Sequence, residues 1–86
     1  MNKMAEQVSE MDTVIKSLNE IQGDATVPRN VRTKIEAIVI TLKENTEVSI
    51  KINKTLNELG EIVNDVNLQS YTRTQIWNVM SALEKL

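Results

Sequence analysis

The side chains that could act on a ligand lie at two places in this sequence. Arg29, Arg32 and Lys34 follow one predicted loop, and Arg73 follows another. A guanidinium group presents a planar fork of N–H donors that fits the oxygens of phosphate or carboxylate. If the two loops lie at the same end of the fold, these four residues predict an anion site, which the positive ends of two helices would assist.

The sequence contains few residues suited to other kinds of chemistry. The chain has no histidine and no cysteine, so it lacks the commonest general base and metal ligand and any thiolate nucleophile. Its hydroxyl side chains have no base to activate them. Glu58, Glu61 and Asp65 share one helical face, which a solvated acidic surface explains better than a cation site. We therefore predict no catalytic residues, no metal, no cofactor and no enzymatic activity.

The charge balance limits the partners. Ten Lys and Arg residues against twelve Asp and Glu residues give the 86-residue chain a net charge of −2. This balance argues against an electrostatic grip on nucleic acid or on an anionic membrane as the main activity. No segment approaches the roughly 18 consecutive apolar residues that a membrane span requires. We expect a cytoplasmic protein without a membrane or DNA partner.

Four blocks of helically spaced apolar residues must position the basic side chains. They predict helices over about residues 3–22, 28–44 and 46–64, and from residue 68 or 70 to 86. Gly23 ends the first helix, and Pro28 opens the second with Thr26 or Val27 as its cap. Aromatic residues make up only 2% of the chain, so the core must be aliphatic. The pattern predicts an all-α fold.

Each predicted helix has one apolar face. The core residues expected in the first two helices are Met4, Val8, Met11, Ile15, Leu18 and Ile21, with Val14 beside them, and then Val31, Ile35, Ile38, Val39 and Leu42. Those expected in the last two are Val48, Ile52, Leu56, Leu59, Ile62, Val63 and Val66, and then Ile76, Met80 and Leu83, with Val79 and Trp77 beside them.

The second half of the chain repeats the first at an offset of 41 residues. This offset aligns core positions with core positions, and it also aligns three polar pairs: Asp24 with Asp65, Thr26 with Asn67, and Arg32 with Arg73. Two tandem helical hairpins, over about residues 3–44 and 45–86, would give a HEAT-like period. Two units are too few for a solenoid. We therefore predict a single domain over residues 1–86, a four-helix bundle in which the hairpins close on each other or are completed by a second chain.

The repeat suggests structural roles for the loop residues. Each loop places an aspartate before a helix and an arginine in that helix's second turn, an arrangement suited to an ion pair or to complementing the helix dipole. The residues assigned to this repeat and capping role are Asp24, Thr26, Pro28, Asp65 and Asn67. Anion binding by the arginines is the alternative use of the same geometry.

Two segments carry a resemblance to a known family. The first reads Asp-Ala-Thr-Val-Pro-Arg-Asn-Val-Arg from Asp24 to Arg32, and the second reads Tyr-Thr-Arg-Thr-Gln-Ile-Trp-Asn from Tyr71 to Asn78. With both segments in this spacing, nearly the whole chain resembles a family of small archaeal helical proteins, uncharacterised protein family 0147. The resemblance implies an archaeal, cytosolic, all-helical protein and implies no activity. Gln69 departs from the pattern, since a proline-like helix start is expected there.

Three large apolar residues do not fit the core faces. Ile40 and Ile50 each lie roughly 200° around their helix from neighbouring core positions. Trp77 takes the place that Glu36 holds in the first hairpin, which is a position able to be exposed. Tryptophan is enriched at the energetic centres of protein interfaces. These three residues therefore predict a contact surface.

Two functions follow from these residues. The main prediction is a non-catalytic interaction or structural module that associates with itself as a homodimer, or with another protein. The alternative is an RNA- or ribosome-associated protein that binds phosphate through helix N-termini and through Arg29, Arg32 and Arg73.

Overall fold

The computed structural model describes the backbone of residues 3–86 and the side chains of residues 10–86. It contains four helices in that part of the chain: α1 (Lys3–Gln22), α2 (Arg29–Lys43), α3 (Val48–Ile62) and α4 (Ser70–Glu84). Residues 3–86 contain no strand. The helices form an elongated bundle of 41 × 22 × 19 Å. The predicted all-α four-helix bundle is confirmed.

The helices occupy the corners of a square. Each helix packs on its neighbours in sequence, and α1 also packs on α4, whereas no Cα atoms of the diagonal pairs α1/α3 and α2/α4 lie within 8 Å of each other in residues 3–86. Because the connections are short, successive helices run antiparallel. The loops at residues 23–28 and 63–69 therefore share one end of the bundle, which we call the loop end. There the side-chain amide of Asn30 donates a hydrogen bond of 3.4 Å to Oδ2 of Asp65.

The described core is aliphatic, as the composition requires. Its buried apolar residues are Val14, Leu18, Ile21, Val27, Val31, Ile35, Ile38, Val39, Leu42, Ile52, Leu59, Ile62, Leu68, Ile76, Val79 and Leu83. Partly buried Met11, Ile15, Leu56, Val63 and Met80 pack against this cluster. The predicted core residues Met4 and Val8 lie outside the described side chains.

Several details of the predicted core were wrong. Val14 was placed beside the core face, yet it is 1% exposed, while Ile15 is only partly buried. Helix α1 contacts both α2 and α4, so its buried face points between two neighbours. Val48 is 51% exposed because it is the first residue of α3, and Val66 is 92% exposed because it lies in the loop beyond α3.

Helix α4 shows the same kind of shift. Val79 is fully packed, whereas Met80, which was predicted to be central, is partly buried. Trp77 is 52% exposed. None of the described helices is both long and apolar enough to cross a membrane.

The helix starts differ from the predicted capping. Helix α2 begins at Arg29 after Pro28, which makes no side-chain capping hydrogen bond, so neither Thr26 nor Val27 is its N-cap. Gln69 precedes α4 with φ −68° and ψ 150°, close to the −55° and 143° of Pro28. A non-proline residue therefore adopts the same extended entry. Gly23 follows the last residue of α1 as predicted, but its φ is not positive.

At the other end of the bundle, a lysine ties the α2–α3 connection together. The ammonium group of Lys51 donates hydrogen bonds to the carbonyl oxygens of Leu42, at 3.2 Å, and Glu44, at 2.9 Å. These are carbonyls at the C-terminus of α2, which lack partners within the helix. The bond couples the end of α2 to the first turn of α3.

Candidate functional site

The two loops at the loop end share one backbone plan. In the first, the N–H of Val27 donates to the carbonyl oxygen of Asp24 at 3.1 Å, and in the second the N–H of Leu68 donates to that of Asp65, also at 3.1 Å. Each aspartate also accepts a hydrogen bond at Oδ1 from the backbone N–H two residues later, at 2.9 and 2.8 Å. This is the local turn that Asp side chains favour. The aspartates thus organise the loops.

The carboxylate of Asp24 has a further partner. The hydroxyl group of Thr26 donates to its Oδ1 at 2.7 Å. This bond, followed by the backbone N–H of Thr26, lowers the pKa of Asp24 because both donors stabilise the charged form. Slight burial opposes the shift, and the positive charge of Arg32 makes the smallest contribution to it. Thr26 therefore acts within the loop and not as the cap of α2.

Arg73 is fixed by the backbone of the second loop. Its Nε donates to the carbonyl oxygen of Val63 at 2.9 Å, and its Nη2 donates to those of Asp65 at 3.1 Å and Leu68 at 3.3 Å. The predicted partner, the carboxylate of Asp65, is replaced by the main-chain oxygen of the same residue. The guanidinium group joins the end of α3, the loop and α4. Three of its five N–H donors are therefore used inside the protein.

Arg32 holds the matching position in α2 but has a different environment. Its Nε is buried and has no hydrogen-bond partner within the described part of the chain. The side chain borders a cavity of about 170 Å³, which we call the arginine cavity; its lining residues are Gln22, Arg29, Arg32, Thr33 and Glu36. Lys34 is exposed and does not line this cavity. Of the four predicted anion-binding residues, the structure brings together Arg29 and Arg32.

A second depression lies between α3 and α4. This α3–α4 groove has a volume of about 340 Å³ and is lined by Ser49, Ile52, Asn53, Leu56, Leu83, Glu84 and Leu86. Trp77 precedes Glu84 by seven residues, which is two helical turns, so both lie on the same side of α4. The half-exposed indole therefore stands on the side of α4 that borders an apolar groove.

The three predicted contact residues do not form one surface. Ile40 and Ile50 are each 60% exposed, and Trp77 is 52% exposed. Ile40 belongs to α2 and Trp77 to α4, and these two helices lie across a diagonal of the bundle, with no described Cα atoms within 8 Å of each other. Ile50 lies on α3 next to Ser49, which lines the α3–α4 groove. A contact face that includes Trp77 can therefore include Ile50 more readily than Ile40.

Sequence reasoning missed two buried threonines. Thr55 and Thr72 are each 1% exposed, and the hydroxyl of Thr55 has no hydrogen-bond partner within residues 10–86. The offset of 41 residues carries the signal, because it aligns Thr55 with Val14 and Thr72 with Val31, both buried. The described residues also contain no group of three or more acidic side chains placed to hold a metal ion.

Comparisons with known proteins find a family model and several relatives that match most or all of the chain. The model of the uncharacterised protein family UPF0147 covers residues 1–86. The UPF0147 protein MJ1419 of Methanocaldococcus jannaschii is 44% identical over 70 residues, which are 80% of this chain and 75% of that protein. The UPF0147 protein TK2131 of Thermococcus kodakarensis is 34% identical over 84 residues, which are 96% of this chain and 99% of that protein. Both relatives are archaeal, as the resemblance implied.

A solved structure has the same fold. The crystal structure of the unknown function protein MMP1188 superimposes with a TM-score of 0.86 at 32% sequence identity. The match covers 92% of this chain and 91% of that one. The arrangement of helices is thus common to both proteins.

Proposed function

The chain belongs to the uncharacterised protein family UPF0147, and we propose that it is a non-catalytic, cytoplasmic interaction module whose α3–α4 face binds a second copy of the same chain. The observation that carries the proposal is the half-exposed Trp77, on the side of α4 that borders the apolar α3–α4 groove. A large aromatic side chain in such a position is typical of the centre of a protein interface.

The comparison of the two hairpins supports this assignment. The position of Trp77 is held in the first hairpin by Glu36, a charged residue beside the arginine cavity. A solvent-facing position on this fold therefore accepts a carboxylate, and packing within the bundle does not demand an indole there. Its presence on the second hairpin alone is explained by contact with something outside the chain.

The α3–α4 face has both a projecting side chain and a depression, which suits a second copy related by two-fold symmetry. In a symmetric dimer each chain presents the same patch, so Trp77 of one copy can approach the groove of the other and the reverse. Leu56 and Leu86, both partly buried in the single chain, line that groove and would lose further contact with water. For a chain of 86 residues, which buries a limited core of its own, this added apolar burial would stabilise the fold.

The alternative function is an RNA- or ribosome-associated protein. Three of the five N–H donors of Arg73 serve carbonyl oxygens of the loop, so this role would depend mainly on Arg29 and Arg32. The interaction module requires no such residue.

Sedimentation equilibrium tests the dimer. We expect the wild type to approach twice its chain mass of 9.7 kDa at tens of micromolar. Trp77→Glu, which introduces the residue of the first hairpin, should return the mass to one chain. Because Trp77 is the single tryptophan, its fluorescence should also shift to shorter wavelength as the wild type associates.

Ile40→Ser is the matched control. It removes a similarly exposed apolar side chain from the diagonal helix α2 and introduces the serine found at the equivalent position 81. This variant should remain dimeric, and circular dichroism should show that both variants are folded. A wild-type mass of 9.7 kDa at 200 μM, or equal dissociation by the two variants, would refute the proposal.

A further inference from the structure

The outer face of α3 and α4 carries less charge than the matching face of the first hairpin. At four exposed positions, an uncharged residue of the second hairpin holds the place of a charged residue in the first. The four pairs are Asn53 and Asp12, Asn57 and Lys16, Ser70 and Arg29, and Trp77 and Glu36. The centres of protein interfaces are depleted of charged residues. This face therefore suits a partner surface that is equally poor in charge, as its own copy is.

One side of α4 carries residues at alternating spacings of three and four, by which two helices can pack along a common seam. This α4 stripe borders the α3–α4 groove and consists of Ser70, Arg73, Trp77, Met80 and Glu84. Arg73 and Glu84 lie on opposite sides of its aromatic and apolar centre, about 16 Å apart along the helix. In an antiparallel pair of α4 helices, each Arg73 can therefore lie level with a Glu84 while each Trp77 lies level with a Met80.

The position of Glu84 has no explanation within its own helix. It is the last residue of α4, where the negative end of the helix dipole disfavours a carboxylate. At the equivalent position α2 ends with Lys43, which the dipole favours. Glu84 is exposed and forms no ion pair within the described part of the chain. In an antiparallel pair it would lie near the positive end of the other α4, whose first turn contains no acidic residue.

Gly60 in α3 also has no explanation within the chain. Glycine inside a helix is destabilising relative to alanine, yet a Cβ atom at Gly60 would meet no other side chain within 4 Å among the described residues. Gly60 follows Leu56 of the groove by four residues, so both lie on the same face. Asn53 and Leu83 both line the groove, so the antiparallel course of α3 and α4 places Gly60 near the level of Trp77. The glycine leaves open space on this face.

We propose that the second copy docks with its α4 antiparallel to the α4 of the first, so that the two-fold axis passes between Trp77 and Met80. This inference rests on the dimer proposed above and specifies its geometry. Each indole then packs on a methionine of the other copy, which is a favourable sulfur–aromatic contact. Each Arg73 faces a Glu84 with the two N–H donors that its own loop does not use.

The same axis places α3 of one copy against α3 of the other. Because α3 and α4 run antiparallel, the level between Trp77 and Met80 on α4 corresponds to the level between Leu56 and Gly60 on α3. Leu56 of each copy therefore lies opposite Gly60 of the other. The open space at the glycine accommodates the leucine.

Distances between spin labels test this geometry. The chain has no cysteine, and Ser70 and Ser81 are both exposed, so Ser70→Cys or Ser81→Cys provides one label per chain. The helical rise and a helix separation near 10 Å place the backbones of the two residues 81 about 12 Å apart and those of the two residues 70 about 27 Å apart. We expect the pair at residue 81 to be clearly the closer. Equal separations, which parallel α4 helices would give, or a closer pair at residue 70 would overturn the proposal.

Two charge reversals at neighbouring residues test the contact between Arg73 and Glu84. Glu84→Lys changes the net charge of the chain from −2 to 0, and Lys85→Glu changes it from −2 to −4. If overall charge alone governed association, Glu84→Lys would strengthen the dimer and Lys85→Glu would weaken it. The antiparallel contact predicts that Glu84→Lys raises the dimer Kd about fivefold at low salt, and more than Lys85→Glu does. A tighter dimer in Glu84→Lys would contradict this contact.

Gly60→Gln tests the facing α3 helices. Glutamine favours the helix over glycine and has room in the single chain, so the thermal stability of the diluted protein should not fall. The dimer Kd should rise at least about tenfold, because the side chain fills the space that Leu56 of the other copy needs. Glu61→Gln, at the next and exposed residue of α3, is the control and should change the Kd less than about twofold. Equal Kd values for the two variants would exclude α3 from the contact.

The dimer and its geometry can fail separately. A wild type that stays at 9.7 kDa refutes both proposals. A wild-type dimer whose labels at residues 70 and 81 are equally separated refutes the antiparallel α4 contact and leaves the dimer standing.

Discussion

The first hairpin, α1–α2, and the second, α3–α4, have the same loop backbone but use their matching side chains differently. Arg73 donates three hydrogen bonds to the carbonyl oxygens of its own loop, whereas the Nε of Arg32 is buried without an acceptor. Glu36 stands beside the arginine cavity, while Trp77 holds the equivalent place on α4. The comparison teaches that two loops with the same backbone hydrogen bonds can leave their matching arginines with different partners.

The largest difference expected between the hairpins is in the two arginines. Arg73→Ala leaves three loop carbonyl oxygens without their charged donor and should lower the free energy of unfolding by about 3 kcal/mol. Arg32→Ala should lower it by less than about 1 kcal/mol, because its Nε has no protein partner to lose. Urea denaturation followed by circular dichroism measures both. Similar losses in the two variants would mean that Arg32 makes structural bonds equivalent to those of Arg73.

A smaller difference in the free energy of unfolding should appear at Val14 and Thr55, which hold equivalent buried positions in the two hairpins. Thr55→Val removes a buried hydroxyl without a partner and keeps the shape of the side chain, so it should raise the free energy of unfolding by about 1 kcal/mol. The converse change, Val14→Thr, places a hydroxyl at the same position of the first hairpin and should lower it by about 1 to 2 kcal/mol. Thermal unfolding of both variants checks the pair. A Thr55→Val protein less stable than the wild type would show that the hydroxyl makes a bond.

The smallest expected effect concerns the pH response of the first loop. The hydroxyl and N–H of Thr26 lower the pKa of Asp24, so this carboxylate contributes stability above the unfolded-state pKa of about 3.9. That contribution is lost as the pH falls through the lower folded-state pKa. Thr26→Val removes the hydroxyl bond and should raise the pKa of Asp24 toward its usual value, as a carboxyl titration by nuclear magnetic resonance would show.

The stability readout of the same variant has a definite sign. Wild type should be more stable than Thr26→Val at pH 6, and the difference should shrink as the pH falls below about 4. A difference that is constant over this range would mean that the hydroxyl contributes through packing and not through the charged carboxylate.

The number and type of helices could be predicted from the sequence because helical periodicity is a local property. Gly23 and Pro28 mark the first loop, and the structure begins α2 one residue after the proline. The same reasoning missed Thr55, because a threonine beside Leu56 resembles a surface residue unless it is compared with Val14. The sequence of one segment shows where a residue lies around its helix. Whether that residue is buried depends on which other helices surround it.

The candidate sites were less predictable than the fold. Arg29 and Arg32 lie in one cavity, but Arg73 binds backbone oxygens, which no pattern of side chains reveals. Ile40 and Trp77 are both exposed, yet they belong to helices that lie across a diagonal. Whether two exposed residues form one surface depends on the packing of all four helices.

By itself, the sequence determined four amphipathic helices, the loops between them and the positions of the basic residues near the helix starts, since these follow from spacing along one chain. Only the tertiary structure decided which arginine turns its donors inward, which faces meet and which exposed side chains are neighbours. These outcomes depend on how each loop folds back on the helix that follows it, which decides whether a donor meets a backbone carbonyl. They also depend on the closing of four helices into a square, which decides whether an apolar side chain is covered.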